Sequence, residues 1–166
     1  MLIYHPAYDA FHCLFRLLTI SEVHRDIEIL KIRIIDFYIL FPAEIRNVKL
    51  PKEFSEAKAW AKREVNRYRG PVHAGQAFRE IEQIQMAAIG ALAAAELIER
   101  DFLETGILRR TEKAIPYDLK LKMGRSFEEC PEVANFVVYQ LGTFPLKGDG
   151  GLKHRTGLLE YRYDNA

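Results

Sequence analysis

Cysteine is scarce in this chain: its 166 residues include two, Cys13 and Cys130. Cys13 falls in an apolar stretch with helical spacing, and Cys130 precedes a proline. Both read as small hydrophobes in a reducing compartment rather than as a disulfide framework. An excess of charge of one sign is missing too. Twenty-four Lys and Arg stand against 23 Asp and Glu, a formal net charge of +1, so bulk charge gives no case for a nucleic-acid binder. The N-terminus lacks the basic region, long apolar run and small-residue cleavage site of a secretory signal, so a cytoplasmic location is expected. There is no internal repeat and no low-complexity tract. Motifs for catalysis are absent as well: no HExxH, nucleophile elbow, CxxC or paired-carboxylate motif occurs. His73 and His154 fall in loop-like contexts without an orienting partner. No enzyme activity, cofactor or metal is expected.

What is present is core material. The chain is 49% apolar and 28% charged, enough for a real core and too apolar for disorder. The stretch His24–Pro42 organises the rest. Ile27, Leu30, Ile34, Phe37, Tyr38 and Phe41 form one helical stripe, and Ile29, Ile32, Ile35, Ile39 and Leu40 cover much of the remainder. A helix apolar almost all round belongs between other elements. Glu28, Lys31, Arg33 and Asp36, and its short length, set it apart from a membrane span. Pro42 stops it.

Ahead of it, a helix is expected from about Ala7, with Phe11, Leu14, Phe15 and Leu18 on its apolar face and Ser21 and Glu22 in the following linker. After an irregular link, Phe54–Gly70 reads as an amphipathic helix with Ser55 as N-cap and Gly70 as its stop. A long helix follows, about Gln76 to Leu97. The small residues of Ala87–Ala95 suit tight internal packing. The segment ELIERDFLETGILRR then resembles the end of a helix-turn-helix unit with a wing strand. Asp101 would cap a one-turn helix, and Gly106 would turn the chain into Ile107–Thr111. Gly124 reads as a break. Pro131 opens and Gly142 closes another helix, and the alternation of Leu159, Tyr161 and Tyr163 fits a short terminal strand.

Four polar groupings bear on function. His5, Asp9, His12 and Arg16 share one helical face. The first three have metal-ligand spacing, but no further ligand stands out, and a structural polar face is the preferred reading. Arg16 is expected to pair with Asp36, whose apolar surroundings demand a partner. Between Arg46 and Arg69 eight cations meet three carboxylates, and Trp60 and Tyr68 lie among them; a solvated helix face is preferred to a nucleic-acid surface. Arg109, Arg110, Lys113, Lys120, Lys122 and Arg125 make a second basic zone. In the tail, Gly148, Gly150 and Gly151 precede Lys153, but His154 and Arg155 follow it where a phosphate loop needs Ser or Thr.

Three stretches resemble a known family: YHPAYDAFHCLFRLL (Tyr4–Leu18), RIIDFYILFP (Arg33–Pro42) and GLKHRTGLLEYRYD (Gly151–Asp164). They are similar to the small middle component of bacterial ABC-three-component systems, type 5, which overlap with Lamassu-type anti-phage and anti-plasmid defence. The resemblance spans nearly the whole chain. It implies a non-enzymatic adaptor linking an SMC-like ABC ATPase to a toxic, often nuclease-like, effector, with winged-helix character and no catalytic residues. The expected fold is mainly α with a small β element, a winged-helix-like α+β single domain over 1–166. Its lobes would be a helical one at 1–70 and a winged-helix-like one at 71–166. The expected partner or DNA contacts are Lys58, Lys62, Arg63 and Arg67 on the basic helix, and Lys153, Arg155, Tyr161 and Arg162 in the tail. DNA contact is possible within the complex and no membrane contact is expected. The alternative is a stand-alone winged-helix DNA-binding regulator, which predicts steep salt dependence of DNA affinity.

Overall fold

The structure, a computed structural model, describes residues 9–65 and 70–159. The chain enters helix α1 (Ala10–Val23) through Asp9, whose carboxylate accepts the backbone N–H of Phe11 at 2.8 Å and that of His12. This N-cap starts the helix later than the expected Ala7, because the capping oxygen satisfies first-turn donors only from a non-helical residue. Ser21 and Glu22 belong to α1 rather than to a linker. The next expected helix divides in two. Asp26–Glu28 is a strand, β1, and helix α2 spans Ile29–Leu40. All eight residues from Ile32 to Ile39 are buried, as an all-round apolar helix requires. α1 and α8 (Pro131–Tyr139) pack on it, and Phe78 meets Phe37 edge-on with ring centroids 5.8 Å apart.

Past Pro42 the chain tightens into a 3-10 turn, Pro42–Asn47, and a second one, Lys52–Phe54, leads into α3 (Ser55–Arg63). Ser55 lies inside the helix, not at its cap; the preceding tight turn supplies the entry, with the Ser55 N–H bonded to the Lys52 carbonyl. α3 ends at Arg63, short of Gly70. The expected Gln76–Leu97 helix is α4 (Ala74–Glu80) and α5 (Glu82–Ala94). Across the division at Ile81 the ladder continues, from Ile81 N–H to Ala77 and from Gln85 N–H to Ile81.

The small residues of α5 do not all pack inside. Ala88, Leu92 and Ala93 are buried and the helix packs against α1, while Ala87, Gly90, Ala91, Ala94 and Ala95 face outward. The reason is periodicity: a run of consecutive small residues winds round the helix, and only its inward stripe meets a neighbour. The short helix α6 (Arg100–Leu103) has Glu99 at its N-cap, with Asp101 in the first turn. Gly106, at φ +80°, then turns the chain into strand β2 (Ile107–Arg109).

β2 pairs antiparallel with β1, Asp26 opposite Arg109, Ile27 opposite Leu108 and Glu28 opposite Ile107; Arg110 adds a bridge to Ile98. The wing-like strand therefore finds its partner at the junction of α1 and α2. Helix α7 (Tyr117–Met123) runs straight into a 3-10 turn, Gly124–Phe127. Gly124 keeps right-handed helical angles, φ −67° and ψ −28°, so it retunes the helix instead of breaking it. α8 starts with Pro131 in its first turn, and Gly142 sits in the 3-10 turn Leu141–Thr143 beside His24. The glycine-rich tail forms α9 (Leu152–Thr156). The expected terminal strand lies outside the described residues from Glu160 onward.

One apolar cluster among the described residues runs from Cys13 to Leu158 and takes residues from both expected lobes, which share a core. Each fully buried Ile, Leu or Phe in it contributes about 1.5–3 kcal/mol of transfer free energy. Among the described residues, no helix is long and apolar enough to cross a membrane.

Candidate interaction surfaces and the buried polar network

Four of the seven buried polar groups among the described residues, Arg16, Arg33, Asp36 and Gln85, form one connected set. Asp36 on α2 is fully buried. Its carboxylate accepts Arg16 Nε at 2.6 Å, Arg16 Nη2 at 3.4 Å and Gln85 Nε2 at 2.8 Å. The Cys13 thiol lies 3.8 Å away. Gln85 Oε1 in turn accepts Arg33 Nε at 2.9 Å, and Arg33 Nη2 reaches Glu82 at 3.0 Å. Arg33 also lies over the Phe78 ring, 4.8 Å from its centroid. Two cations and two anions balance, and among the described residues no buried side-chain polar atom lacks a partner. The set pins α1, α2 and α5 at one depth and one rotation, since a slip of any helix would strand a buried charge. Burial alone would lower the pKa of Arg16; the Asp36 carboxylate outweighs it and holds the guanidinium above its ordinary value. Burial, and then the Asp36 charge, push the Cys13 thiol far up, and burial pushes Cys130 up to about 11. Both thiols are free and inert at neutral pH.

The sequence pairs Arg16 with Asp36, but Gln85 and the Arg33–Glu82 pair escape it. A lone glutamine on a helix that also carries Gln83 gives no pattern to read. Of the His5, Asp9, His12 triplet, Asp9 is the N-cap of α1, His12 lies 3.9 Å from it, and His5 is outside the described residues. Among the described residues no group of three or more His, Cys, Asp or Glu side chains is placed to hold a metal.

The basic zones divide by partner. Of the basic helix, Lys58 is half-buried on α3 and Lys62 and Arg63 are exposed, and none of the three forms an ion pair among the described residues. Arg67 lies outside them. In the second zone, Arg109 pairs with Asp26 and stacks on Phe102, Arg110 pairs with Glu22, and Lys113 pairs with Glu96. These three cations anchor the β element and are not a free surface. Lys120, Lys122 and Arg125 are exposed and carry no ion pair among the described residues.

In the tail, Arg155 acts within the fold. Its Nη1 donates to the Lys49 carbonyl at 2.7 Å and its Nε to Gly150 at 2.6 Å, and it lies over the Phe144 ring. The Lys49 N–H returns a bond to the Arg155 carbonyl at 2.9 Å. Lys153 is half-buried on α9, and Tyr161 and Arg162 lie outside the described residues. Sequence reading also misses an exposed apolar group: Phe11 is 53% exposed, Tyr117 72% and Leu121 57%. Its signal was available in α7, where Tyr117 and Leu121 lie opposite the inward Leu119 and Met123.

The sequence model of one protein family, the ABC-three component (ABC-3C) system Middle Component 5, matches residues 2–164. No curated protein matches the chain, and no solved structure does.

Proposed function

The chain belongs to the middle component 5 family of ABC-three-component systems, and from that premise we propose that it is a non-catalytic adaptor of bacterial anti-phage or anti-plasmid defence. It joins an SMC-like ABC ATPase to a nuclease-like effector in a Lamassu-type complex in the cytoplasm. The observation that carries this reading is the family match over nearly the full chain. A middle component is one part of a system of several components, so partner subunits are implied. Two features of the surface support it: solvent-facing aromatic and aliphatic side chains, and the cations of α3 and α7 that form no ion pair among the described residues. A DNA contact made within the complex would fall to Lys62, Arg63 and Arg67, or to the tail.

The test is to recover tagged protein from its native host and identify what accompanies it by mass spectrometry. The expected result is a large coiled-coil ABC ATPase together with a second, effector-like subunit. Recovery of neither, combined with DNA binding by the isolated chain that weakens steeply with salt, overturns the adaptor and installs a stand-alone winged-helix DNA-binding regulator.

A further inference from the structure

We draw no further inference here: the strongest candidate, the uncharged face that α5 turns to solvent through Met86, Ala87, Gly90, Ala91 and Ala94, carries nothing, because nothing in the structure shows what covers it.

Discussion

Asp36 has no solvent contact, so its charge survives inside the protein only because Arg16 and Gln85 surround it. Removing one partner of such a pair costs more than removing both, since it leaves an uncompensated buried charge. Arg16→Met is therefore expected to lower stability by about 3–5 kcal/mol in urea unfolding. Combining it with Asp36→Asn, which removes the stranded charge, should recover part of that loss. Simple additivity of the two single changes would show that the pair is not coupled. The need for a partner at Asp36 is readable in the sequence, because an acid in so apolar a helix cannot stay bare. Gln85 is not readable, because its role comes from the three-dimensional convergence of α5 on α2. The two thiols make a second residue-scale expectation. Each stays protonated in the folded state well above the ordinary thiol range, with burial raising Cys130 to about 11. The unfolded chain loses these protons first, so the unfolded state binds fewer protons above pH 9 and stability falls as pH rises. The thiols' contribution is fully present below that pH and lost on the alkaline side, most strongly for the more deeply buried Cys13. Cys13→Ala with Cys130→Ala should flatten the alkaline limb measured between pH 9 and 11. An unchanged slope would assign the loss to other groups.

At the scale of elements, the C-terminus of α5 shows a local rule broken in a readable way. Leu97 N–H bonds to the Leu92 carbonyl and Glu96 N–H to Ala93, which is the double bond of a Schellman cap, with Leu92 and Leu97 both buried as its apolar contact. The residue in the left-handed position is Glu96, at φ +59°, where glycine is usual. Its carboxylate meets Lys113 at 3.1 Å, but both side chains are well exposed, and such a pair is worth about 0.2–1 kcal/mol. A side chain forced into this backbone region costs about 1–3 kcal/mol. Glu96→Gly is thus expected to stabilise the protein by about 1 kcal/mol net, read as a higher urea midpoint at unchanged slope. A lower midpoint would mean that the Lys113 contact outweighs the strain. This position also shows why element ends are hard to place from sequence. Apolar periodicity locates α1, α2, α5 and α8, but a helix end is set by single backbone bonds. Asp9 starts α1 and Glu96 follows the end of α5, whereas the apolar pattern points to Ala7 and Leu97. β1 hides inside an apolar run because isoleucine suits strand and helix alike, and only its pairing with Ile107–Arg109 decides between them.

For the molecule as a whole, the surface was harder to read than the interior. Six cations clustered near Arg109–Arg125 look alike in sequence, yet three are neutralised by Asp26, Glu22 and Glu96, which arrive from distant segments. Arg155 looks like a contact residue and is a clamp onto Lys49. Which charges remain outward depends on tertiary pairing, which local pattern does not encode. The same long-range pairing governs how the chain unfolds. Arg33 of the first half is tied to Gln85 and Glu82 of the second, Asp26 to Arg109, and Lys49 to Arg155, all around one continuous core. Halves joined in this way have no separate stability, so the chain is expected to unfold in a single cooperative transition. Trp60, the sole tryptophan, sits half-buried on α3 and reports on its local surroundings, whereas far-UV circular dichroism reports on all the helices. The two probes should give coincident urea curves with the same midpoint and slope. A tryptophan transition displaced from the circular dichroism curve would restore two lobes that melt independently. Arg33→Met, which releases one buried tie between the halves, should lower both curves together if the core is shared, and would separate them if it is not.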